Sequence, residues 1–278
     1  MEENPTKRTV LDYDDIRNMW PFFNGKEKLV NRIFHLISMD KVNWLHEHNC
    51  DTPGEPFVEG LVRDLNISVR IDNEEILDSL PDGSFITVSN HPFGALDGIL
   101  LIKIVASHYP KFRVMVNMFL NYISAMRPNF IPVDPLGSND PKKKLVTMKG
   151  IREAIAQVRG GQPMGFFPAG AVSKITETLH IQDRKWQPTI IRLIQQLNVP
   201  VVPIYFHGHN SVFFNILGLI DWRLRTLRLP AEVFRKKGKT IHVSIGKPIP
   251  VEELAKHKSI DDLGRFLKKS TYSMCKWK

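Results

Sequence analysis

The chain has 278 residues, 42% hydrophobic and 24% charged, which is ample for a buried core and unlike a disordered segment. Its formal charge of +9 points to an anionic partner, but no dense Lys/Arg run is interleaved with aromatics, which counts against a nucleic-acid platform. Cys50 and Cys275 are the two cysteines; they exclude a disulfide framework and fit a reducing compartment.

The start, Met1 to Arg8, is polar with no apolar stretch behind it, so no signal peptide is expected. No apolar run approaches the ~18–20 residues of a spanning helix. A cytoplasmic protein lying on the inner face of the cell membrane is the expectation. Residues 26–48 set Leu29, Ile33, Leu36, Ile37 and Trp44 at helical spacing between Lys and Arg, predicting an amphipathic helix or helix pair packed on the core. His46-Glu47-His48-Asn49-Cys50 crowds metal-ligand types on a helix end without a second cluster, so no metal is expected. Residues 50–56 break the pattern and 57–67 resume it. Residues 1–67 thus read as an N-terminal helical segment and 68–278 as the main domain.

From Ser68 onward, short β-rich runs alternate with helical stretches. The predicted strands are 69–71, 85–89, 113–116, 130–133, 164–167, 201–206 and 241–245, and the clearest helices 95–108, 142–159 and 186–197. This alternation defines an α/β fold: a mostly parallel central sheet flanked by helices. In such sheets ligands gather beyond the carboxyl ends of the strands.

Two loops fall at those ends. In the first, an apolar run from Phe85 ends at Asn90-His91, a turn follows, and Asp97 stands where a helix should begin. Histidine titrates near neutrality, so a fixed His–Asp pair reads as a general base. The same residues also fit a plain loop histidine and an aspartate favouring a helix N-terminus. The second loop, Phe166 to Lys174, supplies Gly170, Ser173 and Lys174, which suit an anion or polar headgroup. Prolines 200 and 203 bracket a buried strand and suggest a rigid cleft edge. Residues 211–230 join a strongly apolar half to an Arg-rich half with Trp222, and 234–239 add positive charge; this composition fits an interfacial segment or a core-covering helix. His207-Gly208-His209 is expected to be structural. Neither a G-x-S-x-G elbow nor a phosphate-binding P-loop is present.

Taken together, the chain resembles the glycerolipid acyltransferase (PlsC-like) family across roughly residues 70–250. Asn90-His91 with Asp97 resembles its first motif, the segment Met126 to Asp134 with Arg127 its second, Phe167-Pro168-Ala169-Gly170 its third and 199–204 its fourth. Five residues separate His91 from Asp97, where four are usual. This HPFGALDG variant looks like the branch called hemolysin-like or lyso-ornithine-lipid O-acyltransferases. Ala169 replaces the family's glutamate, which turns the expected acceptor from a glycerol phosphate towards a lyso-aminolipid. The resemblance implies acyl transfer from an acyl carrier protein or coenzyme A thioester to a lyso-lipid hydroxyl, without a further cofactor. His91 would be the base and Asp97 its orienting partner. Asn90, Arg127, Phe167, Pro168, Gly170, Ser173 and Lys174 would hold substrate, with Arg127 and Lys174 facing the headgroup or donor phosphate. Acylation of lysophosphatidic acid and lipid binding without turnover are the rival expectations.

Overall fold

The computed structural model describes residues 7–80, 83–134, 140–177 and 180–276. Among these described residues nine strands run β1 (Ser68–Asp72), β2 (Ile86–Ser89), β3 (Arg113–Asn117), β4 (Phe130–Val133), β5 (Met164–Phe166), β6 (Lys174–Ile175), β7 (Ile181–Gln182), β8 (Val201–Phe206) and β9 (Thr240–Ile245). Seven of them form one sheet in the order β1-β9-β8-β2-β5-β3-β4, and β6 and β7 form a small separate hairpin. Every junction in the large sheet is parallel except β8–β9. All seven strands expected from sequence are present, and the fold is the α/β class expected. The β6–β7 hairpin and the helix Ile260–Tyr272 were not foreseen.

The central strands are apolar on both faces, as a sheet covered on both sides must be. Ile86 and Val88 of β2 pack on one face with Met115, Ile131, Phe166 and the helices Pro188–Leu197 and Ile260–Tyr272. Val114, Val116, Phe130, Val202 and Ile204 face the other way, against the helix Ala95–Ala106. That helix is apolar on nearly every side and almost wholly buried, so it needs cover on its outer side too. The helix Glu55–Asp64 supplies it through Phe57, Val58, Leu61 and Val62.

Earlier in the chain, helices Glu27–Ile37 and Met39–Glu47 form the expected pair. The first buries Val30 and Phe34 in a small satellite cluster with Ile16, while Leu29, Leu36 and Trp44 remain exposed. His46 is buried and structural, its Nδ1 2.8 Å from the Arg8 carbonyl. Among the described residues no helix is long and apolar enough to cross a membrane.

The antiparallel junction carries a polar network. His207 stacks on His242 at 4.3 Å, its Nε2 lies 2.8 Å from Ser244 Oγ, and His242 Nε2 lies 2.7 Å from Asp72 Oδ2. Asp72, His207 and His242 bring their ligand atoms within 4.8 Å of one another. Lys276 already ion-pairs with Asp72 at 2.5 Å, and with His242 it holds that carboxyl well below its usual range. Burial, helped by the neighbouring His242, pushes His207 down to about 4. An unfolded histidine titrates near 6.5, so between these values the unfolded chain binds the additional proton. Stability from His207 is complete above about pH 6.5 and is lost as pH falls towards 4. The urea midpoint should therefore drop between pH 7 and pH 5, and His207→Gln should flatten that drop; an equal slope in the variant would contradict it.

Candidate active site

Strand β2 ends at Ser89, but Asn90 prolongs its pairing with a side chain. Its Nδ2 donates to the Phe206 carbonyl at 2.9 Å, and the Phe206 N–H donates to its Oδ1 at 2.7 Å. The amide thus stands in for one more peptide and fastens β2 to the last residue of β8. His91 follows just beyond that clip, at the carboxyl edge of the sheet.

The backbone of His91 is held by a second buried residue. Its N–H donates to Asp183 Oδ1 at 3.1 Å, and its carbonyl accepts the Ser173 N–H at 2.8 Å. Asp183 also accepts from Ser173 Oγ at 2.6 Å and Trp186 Nε1 at 3.1 Å. Main-chain freedom at His91 is therefore removed from both sides.

Asp97 fixes the imidazole. It is the third residue of the helix Ala95–Ala106, fully buried, and its Oδ2 lies 2.9 Å from His91 Nδ1. The N–H groups of Phe93 and Gly94 donate to the same oxygen at 2.8 and 2.9 Å. Burial pushes the Asp97 carboxyl up, opposed by His91 and these two N–H groups. An oxygen that already accepts two backbone hydrogens is an acceptor for the ring as well, so the geometry sets the proton on Nδ1 and leaves Nε2 with its lone pair. The helix N-terminus favours the carboxylate in the same place.

Gly94 makes this turn feasible. It sits at φ +87°, and a Cβ there would meet Leu229 Cδ2 at 2.9 Å and Val172 Cγ2 at 3.3 Å. Both the left-handed backbone and the close approach require glycine. The five residues between His91 and Asp97 thus close into a turn that keeps the carboxylate on the ring.

The second loop meets the first. Phe167 lays its ring 4.5 Å from the His91 imidazole, forming an apolar wall beside that ring. Pro168 is buried, its carbonyl accepting the Gln187 N–H at 2.8 Å, and Gly170 closes a turn by donating its N–H to the Phe167 carbonyl at 3.0 Å. That donor is already engaged within the loop. Ser173 is buried with its hydroxyl on Asp183, while Lys174 is exposed at the start of β6. Arg127 is not brought to this place. It precedes β4, donates its Nε to the Asn121 carbonyl at 3.2 Å, and shares a surface depression with Arg113, the first residue of β3.

Three contributors carry no motif and were missed from sequence. Asp183 and Trp186 sit in a stretch with no recognisable spacing. Arg225 is buried, and its NH1 and NH2 donate to the carbonyls of Ser173 and Val172 at 3.2 and 3.0 Å. Among the described residues it makes no ion pair, and burial pushes its guanidinium down. One signal existed: Gly218 interrupts an apolar helix, and a Cβ there would come within 2.6 Å of Arg225 Cδ. Lys236 backs the turn from outside, its ammonium 4.4 Å from the Phe93 ring centroid and bonded to the His209 carbonyl at 2.7 Å.

A profile of the acyltransferase family matches residues 27–277, so the chain belongs to that family and is an acyltransferase. Two relatives are each named lyso-glycine lipid O-acyltransferase. The one from Bacteroides thetaiotaomicron is 28% identical over 254 residues, covering 88% of this chain and 89% of the relative. The one from Phocaeicola vulgatus is also 28% identical, covering 88% and 87%. Among solved structures, the 1-acyl-sn-glycerophosphate (LPA) acyltransferase PlsC of Thermotoga maritima superposes with a TM-score of 0.46 at 16% identity, over 79% of this chain and 80% of that one.

Two substitutions test the framework around His91. Gly94→Ala should cost about 1–3 kcal/mol from backbone strain alone, read by urea unfolding, and should lower turnover through the displaced turn. Asn90→Ala leaves the buried Phe206 N–H unpaired and should cost about 1–3 kcal/mol. Unchanged stability in both would contradict the constraint described.

Proposed function

We propose that this acyltransferase moves a fatty acyl chain from an acyl carrier protein or coenzyme A thioester to the hydroxyl of a lyso-lipid, working as a peripheral enzyme on an anionic membrane surface. The observation that carries this reading is the His91–Asp97 pair, held with Nε2 free beyond the carboxyl end of β2 and flanked by the Phe167 ring. His91 side-chain exposure of 19% leaves that nitrogen accessible.

A lipid hydroxyl is a poor nucleophile near neutral pH. With Nδ1 donating to Asp97, Nε2 takes the hydroxyl proton as the oxygen attacks the thioester carbonyl. Asp97 stabilises the imidazolium so formed, as the carboxylate does in a hydrolase triad. The tetrahedral intermediate collapses with cleavage of the C–S bond, and the proton on Nε2 passes to the departing thiolate. No protein nucleophile intervenes, because the acyl group moves directly from donor to acceptor.

The acceptor we favour is a lyso-aminolipid, of the glycine or ornithine kind. Both relatives carry a lyso-glycine lipid in their names, and Ala169, fully buried here, offers no carboxylate to an acceptor. Lys174, exposed next to the residue that bonds the His91 carbonyl, is the candidate partner for a headgroup carboxylate. Asn90 and Ser173 shape the site through their bonds to Phe206 and Asp183, and Phe167 forms its wall, with Pro168 and Gly170 in the turn that carries it. Arg127, at the far end of the strands, takes no part in this proposal.

The test is acceptor-dependent release of free thiol by purified protein supplied with each thioester. Release should be fastest with a lyso-glycine or lyso-ornithine lipid. His91→Ala should lower it about 10³-fold or more, and Asp97→Asn about 10²–10⁴-fold by setting the wrong tautomer. A preference for lysophosphatidic acid would replace the acceptor assignment. No thiol above background with any acceptor would leave a lipid-binding protein.

A further inference from the structure

Helices Val212–Ile220 and Trp222–Leu227 form a hairpin that is apolar on its outer side. Phe213, Ile216, Leu219, Ile220, Trp222 and Leu224 are between 46% and 71% exposed within this short stretch. Isolated exposed apolar residues are ordinary, but a concentrated cluster marks an interaction surface. The helices have nine and six residues, far short of the ~20 needed to span a bilayer, so the hairpin can only lie in an interface.

Its charge selects the partner. Residues 211–239 hold seven basic side chains and two acidic ones. Both acids are engaged inward or locally. Glu232 is buried and accepts from the Ser211 N–H and hydroxyl at 2.8 and 2.7 Å, and Asp221 caps the second helix by accepting the Arg223 N–H at 2.6 Å. Arg223, Arg235, Lys237 and Lys239 remain exposed. A second copy of the chain docking on this face would bring like charges together, whereas an anionic lipid surface complements them.

The hairpin is also fastened to the candidate site. Its buried Arg225 holds the carbonyls of Val172 and Ser173, and Ser173 in turn bonds the His91 carbonyl. Helix Val212–Ile220 packs on β6, which opens with Lys174. Leu229, which follows directly, touches the place of Gly94 in the catalytic turn. The apolar surface and the base are thus joined by one short run of contacts.

We propose that the hairpin Val212–Leu227 is the element by which the enzyme docks on an anionic bilayer, setting the mouth of the His91 site against the lipid surface. This rests on the reading that the acceptor is a lipid presented by that bilayer. The test uses the full chain and sedimentation with vesicles of phosphatidylcholine alone or enriched in phosphatidylglycerol. The wild type should bind the anionic vesicles about tenfold or more better than the neutral ones. L219S/I220S/W222S, altered only at exposed positions, should lose about tenfold or more of that binding. The variant should release thiol normally with a short-chain, water-soluble acceptor and poorly with lyso-lipid in vesicles. Undiminished vesicle binding by the variant would overturn the proposal, as would a wild-type dimer that the variant turns into a monomer. Vesicle binding lost in the variant, with no thiol release by the wild type, would uphold the docking role and reject the acyl-transfer reading.

Discussion

Three hydrogens converge on one buried oxygen, Oδ2 of Asp97, and the rest of the site follows from that convergence. Two come from the peptide groups of Phe93 and Gly94 and one from the His91 ring. The carboxylate can occupy that point because it stands in the first turn of a helix whose other faces are apolar and covered. A second buried carboxylate, Asp183, does for the His91 main chain what Asp97 does for its side chain. With both in place, His91 presents at the edge of the sheet its Nε2, a ring nitrogen with no hydrogen-bond partner among the described residues.

Much of this was legible in the sequence, for identifiable reasons. The seven strands could be read because their β-branched, apolar runs are bounded by Gly, Pro and polar clusters, and because burial on both faces removes polar alternation. His91 and Asp97 could be read because a sheet edge and a helix start both leave marks in local composition. Asp183, Trp186 and Arg225 left none. Their partners lie 92, 3 and 52–53 residues away, and only the fold brings the longer pairs together. Arg127 is a different case: among the described residues no contact joins it to His91. It shares a motif-like segment with β4, but the segment enters the strand at the end opposite to His91.

The amphipathic readings divided in an instructive way. Helical spacing in 26–48 was correct, yet the apolar residues buried there are Val30, Phe34 and Leu45, each set beside one of the expected Leu29, Ile33 or Trp44. Periodicity gives the helix, while the side that turns inward depends on what it meets. In 211–230 the composition suggested either a core cover or an interfacial segment. The hairpin does both: Phe214, Asn215 and Arg225 turn inward, and the larger apolar set turns out. Gly218 lets Arg225 lie flat beneath the first helix, so a cation that would otherwise be solvated braces the second loop instead.

The tautomer of His91 is the point on which the chemistry turns, and nitrogen-15 spectra of imidazole-labelled protein report it directly. A carboxylate oxygen already filled by two peptide donors requires the proton on Nδ1, with Nε2 showing the signal of an unprotonated ring nitrogen in the wild type. Asp97→Asn should disturb that assignment while leaving the fold intact. A wild-type spectrum with the proton on Nε2 would contradict the role given to His91, whatever the acceptor proves to be.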